Sequence, residues 1–408
     1  MNDFFRKWAH AALFNFMLVA TAGVLLRYKI LFPFPLVDHK NLLHAHSHFA
    51  FSGWVSLALC TAMVSVIHSY TPVSFSRYRK LFYFSQVASF GMLFTFPFMG
   101  YAPASIAFST LYIIFSYLFT YYAWKDLNHS SVPALIQKWF KSGMILWVIS
   151  SLGAFALAFQ MATHTGSQPM HIGSIYFFLH FQYNGWFLFA IAGLFFHKLL
   201  RAGIDDRYFN RIFQLLIIAV VPAFLLSTLW MKISVVIYGL AITGAILQLI
   251  ALYYLGRIFP TIRQHLNLGR VPVVKLLWGL AMIAVVLKFI FQAVSTIPAL
   301  SHLAFGFRPI VIGFLHLILL GFVSLFLIGY LYEEKFFVFN RVQKTGIYML
   351  ITGVLLNEAV LFIQGIAAMD YNAVPYSNHM LLVIAFLLFL SLAVLALSAK
   401  HHKKIPVT

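Results

Sequence analysis

Apolar runs of about twenty residues recur along the whole chain, and each is long enough to cross the hydrocarbon core of a bilayer. No other feature constrains the fold as strongly. Inside lipid every backbone N–H and C=O must be satisfied within its own segment, so runs of this length can only be helices. Twelve such runs are expected, near residues 8–27, 44–67, 79–101, 104–124, 140–161, 173–197, 210–229, 233–256, 272–296, 309–332, 345–366 and 376–399. The composition agrees: 62% hydrophobic and 9% charged, where a soluble domain carries about 25% charged residues. The expected fold class is an all-α polytopic membrane protein, a single transmembrane domain over 1–408. No linker or low-complexity tract divides it.

The formal net charge is +19. A nucleic-acid partner is excluded by where the charge lies. With the N-terminus placed in the cytoplasm, 22 of the 28 Lys and Arg fall on the cytoplasmic side. Arg27, Lys29, Lys40, Lys232 and Arg308 lie outside, and Lys288 lies within a span. This is the positive-inside bias of a multi-pass protein. It implies an inner (cytoplasmic) membrane location with both termini cytoplasmic and basic loops that meet anionic lipid. The N-terminus shows no cleavable signal pattern, so the first span is expected to direct insertion.

The second span opens on HAHSHFAFSGW (44–54), and weaker copies follow at HFQYNGW and HLILLGF. In each, a His is followed by Gly at +5 and Trp or Phe at +6: His48/Gly53/Trp54, His180/Gly185/Trp186 and His316/Gly321/Phe322. With 23 Gly, 45 Phe and 8 Trp in 408 residues, the 17 His should give roughly 0.1 such matches by chance, against three present. The motif His are 132 and 136 residues apart, about a third of the chain. They fall on spans 2, 6 and 10. The twelve spans therefore divide into three pseudo-symmetric four-helix units, approximately 1–125, 138–257 and 272–400.

Spans 2, 6, 10 and 12 run inward from the outer face, and each carries His near its outer end: His44, His46 and His48, then His180, His316 and His379. His180 and His316 sit about 10–12 Å deep at the helical rise. Imidazoles from several helices at one depth suit a metal or a heme iron, or they hydrogen-bond between helices. His44 and His48 share a helix face and His46 points nearly opposite, so at most two of the three can ligate one centre. The Gly at +5 lets a neighbouring helix or a porphyrin edge approach. His379 lacks the Gly-aromatic partner. His39, His164, His171 and His302 are read as loop residues, either solvated or facing heme propionates or an outer metal. Cys60 is the one cysteine. It excludes an intrachain disulfide and a CxxCH heme attachment, so any heme is held without a covalent link.

Two ionisable residues lie at membrane depth, Lys288 in LKFIFQ and Glu358 in LLNEAVLFIQ. Such groups need a partner. They either pair with each other or join a proton or propionate network that Asn357, Gln160, Gln292 and Gln364 could extend.

The segments LLHAHSHFAFSGWVSL, FLHFQYNGWFLFAIAGLFF and IGFLHLILLGFVSLFLIGYL resemble the second, sixth and tenth helices of subunit I of the heme-copper oxidase superfamily, especially its cbb-type and nitric oxide reductase-like branches. The organisation of the whole chain is similar to it, and in role also to the NnrS-like membrane heme proteins linked to nitric oxide tolerance. The resemblance implies that His316 ligates a low-spin heme b with a His of span 2. The repeat favours His48, with His44 as the alternative. It implies that His180 ligates the active-site copper or non-heme iron, with His46 and His379 as further metal candidates. The sequence departs from the family at three places. Phe314 stands where the high-spin heme ligand is expected, residues 210–229 contain no His, and the sixth span lacks the Pro-Glu-Val-Tyr continuation. A copper is left with His180, too few ligands for a stable site. An oxidoreductase of the oxidase or nitric oxide reductase type would need those ligands.

The expected function is that of a heme-binding membrane protein on this scaffold. It transfers electrons with a redox partner protein if two His fill both axial positions. It binds or detoxifies a diatomic gas, NO or O2, if one ligand is labile. The competing expectations are a proton-coupled transporter or channel using Lys288, Glu358 and the His, and a cofactor-free assembly subunit.

Overall fold

The structure is a computed structural model that describes residues 3–205, 207–265 and 272–399. His401 and His402, and the side chains of His265 and His302, fall outside it. Among the described residues there is no strand. Long helices follow one another: α1 (Asp3–Leu31), α2 (His39–Tyr70), α3 (Phe75–Met99), α4 (Pro103–Asn128), α5 (Ala134–Ala162), α6 (168–201), α7 (Tyr208–Thr228), α8 (Val235–His265), α9 (Pro272–Val294), α10 (Arg308–Glu333), α11 (Arg341–Met369) and α12 (Ser377–Ser398). Eleven of them are long and apolar enough to span a bilayer. The exception is α6, where Gln182, Tyr183 and Asn184 follow His180 at mid-helix and lower the hydropathy below that of its neighbours.

Local chemistry sets the helix ends. The Asp38 carboxylate accepts the Asn41 N–H at 3.0 Å at the start of α2, and Asn340 accepts the Gln343 N–H at 2.9 Å at the start of α11. Gly100, at φ +58°, closes α3, and Pro103 occupies the first turn of α4. The segment before α10, read as a loop from sequence, contains a short helix, Pro298–Gly306. It starts on a proline, whose missing N–H costs nothing in a first turn.

The peripheral helices touch in the closed order α12, α1, α3, α4, α5, α7, α8, α9, α11 and back to α12. Inside that ring α2, α6 and α10 meet one another. The apolar stretch of α2 is 89% buried, so it faces protein rather than lipid and can carry polar groups at depth.

Each inner helix changes from α to π geometry at its motif: Ala50–Ser56 in α2, Phe181–Phe187 in α6 and Leu317–Ser324 in α10. A π turn inserts one residue and frees a carbonyl that another group must satisfy. In α2 the Gly53 carbonyl accepts from Asn15 of α1 at 2.8 Å. In α10 the Ser324 hydroxyl donates to the Leu319 carbonyl, five residues back, at 2.6 Å.

The motif aromatics join the three helices. The Trp186 indole N–H donates to Ser56 Oγ at 3.1 Å, and the Trp54 N–H donates to Ser324 Oγ at 2.9 Å. In both joints the acceptor lies two residues past the aromatic position of its own helix. At the corresponding positions of α10 and α6 stand Phe322 and Leu188, whose side chains cannot hydrogen-bond. Trp54 also stacks on Phe16 and Trp186 on Trp147, with centroids 4.5 Å apart in both pairs and planes within 2° and 4°. Two of the motif glycines admit neighbouring helices, while a Cβ on Gly53 would meet the Phe49 ring of its own helix at 2.9 Å. A Cβ on Gly185 would lie 2.7 Å from Leu146 Cβ, and one on Gly321 would lie 3.3 Å from Ala284 Cβ.

Candidate functional site

A cavity of about 230 Å³ lies between α1, α2 and α10, with α11 and α12 closing its far side. His46 and His316 both line it. His46 Nδ1 is 3.0 Å from the Val19 carbonyl oxygen, and His316 Nδ1 is 2.8 Å from the Ile312 carbonyl oxygen. A carbonyl only accepts, so in each ring Nδ1 carries the proton and donates. Nε2 is then the lone-pair nitrogen. No hydrogen bond to either Nε2 is present among the described residues. An imidazole anchored through Nδ1–H to a carbonyl, with Nε2 open, has the orientation and tautomer of a metal-ligating His. Gly23 of α1 lies against the His46 ring; a Cβ there would sit 3.5 Å from Cε1. Any larger side chain would reduce the space beside the ring.

The same cavity is lined by Arg27, His39 and Arg308. Arg308 donates to His39 Nε2 at 3.2 Å, and neither arginine has a carboxylate within 4.0 Å among the described residues. Two imidazoles and two arginines without a carboxylate partner thus line one mostly apolar cavity, a set of groups that suits a ligatable molecule with anionic substituents. The sequence signal for these two arginines is position alone: both belong to the few cations on the His-bearing side of the chain.

His48, the ligand favoured by the repeat, does not face His316. Its ring stacks on Phe96 of α3, centroids 4.8 Å apart and planes within 5°. His44 lies on the same side of α2, edge-on to Tyr101 at 4.8 Å, with Tyr101 Oη 3.5 Å from its Nδ1. The structure thus brings His46, rather than His48 or His44, to the cavity that His316 lines. The helical offset between His46 and its neighbours stands as read from the sequence; which face turns inward is decided by packing.

His180 is 1% exposed and commits both ring nitrogens. Its Nε2–H donates to the Val220 carbonyl of α7 at 2.8 Å, and its Nδ1 accepts from the Asn184 amide at 2.9 Å. It ties α6 to α7 and has no lone pair left for a metal. His379 is exposed at the start of α12, 6.1 Å from the Tyr376 ring. No group of three or more His, Cys, Asp or Glu able to hold a metal ion occurs among the described residues.

Lys288 and Glu358 form no ion pair. Lys288 is fully buried; its Nζ donates to Gln292 Oε1 at 2.7 Å and lies 4.1 Å from the Phe289 ring centroid. Glu358 Oε1 accepts from Asn357 at 3.1 Å. Asn357 lines the His46/His316 cavity, while Glu358 lines a second and larger one.

No family model and no curated protein matches this sequence.

Proposed function

We propose that the chain is an electron-transferring membrane protein that holds one b-type heme in the cavity shared by His46 and His316. The observation that carries this reading is the pair of anchored imidazoles, from two inner helices, that line one cavity and have no hydrogen bond at either Nε2 among the described residues. The Nε2 atoms of His46 and His316 would hold the heme, and Arg27, His39 and Arg308 would meet its anionic side groups. Bound there, the heme supplies a reversible one-electron couple. The protein's own part is positional: the Val19 and Ile312 carbonyls hold each ring by its Nδ1 proton. Phe16, Phe51, Trp54, Leu315 and Leu319 line the same space with apolar surface and limit water.

With two anchored ligands, electron transfer to or from a partner is favoured over capture of NO or O2. Gas binding would require one imidazole to give up its place as a ligand. The reading includes twelve membrane spans in three four-helix units. The π turns on α2, α6 and α10 and the two Trp–Ser joints support that organisation. It also includes placement in the cytoplasmic membrane with both termini inside, supported by the distribution of Lys and Arg.

The test is the reduced-minus-oxidised spectrum of detergent-purified protein from heme-replete cells, beside His46→Ala, His316→Ala and His48→Ala. A sharp b-type band lost in the first two variants and kept in the third is expected. A band lost in His48→Ala but kept in His46→Ala would overturn the assignment. A colourless, folded parent protein would reject the heme altogether and favour transport or a scaffold role, which substrate-dependent flux would separate.

A further inference from the structure

The larger cavity, about 620 Å³, is bounded by α6, α7, α9, α10 and α11. At the position where the resemblance places a second heme, Phe314 lines this space, and His180 on its wall is closed to ligation on both nitrogens. Among the described residues the cavity thus offers no imidazole ligand. Its lining includes Phe291, Val294, Phe362 and Ile366, side chains that are also exposed on the apolar periphery between α9 and α11. A molecule dissolved in a bilayer would meet this opening directly.

Inside, the surface is apolar except for a few polar groups. Glu358 Oε2, the Gln292 amide nitrogen and the Tyr183 hydroxyl make no hydrogen bond among the described residues. Gln292 presents that nitrogen because its Oε1 is taken by Lys288. Apolar walls with a small number of polar groups fit a small-molecule site. The ligand must be lipophilic, must enter sideways, and must carry hydrogen-bonding oxygens. An acyl chain would satisfy the walls and leave these polar groups without partners.

We infer that this cavity is a binding site for a lipid-soluble isoprenoid quinone, its ring carbonyls accepting from the Tyr183 hydroxyl and the Gln292 amide and its tail lying toward the opening between α9 and α11. Leu315 of α10 borders both cavities, and the Asn357–Glu358 contact bridges their walls. A quinone here would thus sit against the wall of the proposed heme cavity. Its use as an electron carrier rests on the heme reading; its binding does not.

The experiment measures binding of a decyl-substituted benzoquinone, and crosslinking of its azido derivative, to the full purified chain. Ala359→Trp narrows the exposed opening, and Tyr183→Phe removes one donor without changing shape. Crosslinks on α9 and α11 peptides, an affinity about tenfold weaker in Tyr183→Phe and loss of labelling in Ala359→Trp are expected, with the thermal midpoint and any heme band unchanged. Decylbenzene should not compete. Equal binding by both variants, labelling elsewhere, or competition by decylbenzene as strong as by the quinone would overturn the proposal; the last result would make this an acyl-chain groove. His46→Ala should abolish the heme band and leave quinone binding intact, so the two readings can fail separately.

Discussion

The joint between Trp54 and Ser324 can be tested by a double-mutant cycle with a calculable result. Trp54 is 1% exposed and Ser324 2%, so replacing the serine with alanine leaves a buried indole N–H with no acceptor. The reverse change is milder for the partner. With Trp54→Phe, Ser324 still donates to the Leu319 carbonyl, and the Phe ring can still stack on Phe16. An unsatisfied buried donor costs about 1–3 kcal/mol, and hydrogen bonds between membrane helices couple by about 0.6 kcal/mol on average and 1.7 at most. Ser324→Ala should therefore destabilise by about 1–2 kcal/mol. The double variant should recover about 0.6–1.7 kcal/mol relative to the sum of the single changes. It would leave this joint with apolar side chains at both positions, like the corresponding residues Phe322 and Leu188. The assay is reversible denaturant unfolding in micelles. A coupling near zero, or additive losses, would mean that the indole bond does not hold α2 to α10.

Three further outcomes follow from the geometry. His180→Phe should lower stability by about 2–3 kcal/mol, because it strands Asn184 and breaks the tie to Val220, yet leave any heme band in place; loss of bound metal in that variant would contradict a purely structural role for His180. Gly153→Ala would place a Cβ 2.6 Å from the Ser174 carbonyl oxygen and 2.7 Å from the Phe178 nitrogen, both backbone atoms. It should cost about 1–3 kcal/mol in the same unfolding assay and displace the start of α6. Asp38, capping α2 outside the spans, has its carboxyl lowered chiefly by the Asn41 backbone N–H. Its stabilisation is therefore fully present above the ordinary carboxylate value and disappears as pH falls through the lower folded value. Hydrogen exchange at Asn41 should accelerate over that acid range in the parent protein and show no such step in Asp38→Asn.

Much of this was legible in the chain. Hydropathy located most helix ends to within about six residues, because a run of apolar side chains and the need to close backbone hydrogen bonds in lipid admit one conformation; the exception is α8, expected to end at 256, which continues to His265 through the polar segment that follows the apolar run. The same measure is weakest at α6, where Gln182 and Asn184 interrupt the apolar run to serve Ser150 and His180. The repeat marked the three inner helices, and each motif lies at a π turn.

What the sequence left open was rotation. His46 and His48 are two residues apart and point to different sides of α2, and no periodicity says which side meets α10. The π turn begins directly after His180 and His316 but two residues after His48, so identical Gly spacing does not place the three His on equivalent faces. Contacts far apart in sequence decide the matter: Phe96 of α3 stacks on His48, while Val19 of α1 takes His46. Lys288 and Glu358 are the converse case. Their partners are local, Gln292 one turn on in the same helix and Asn357 the adjacent residue, because a buried polar group takes the nearest amide; tertiary packing decided only that the two charges do not meet.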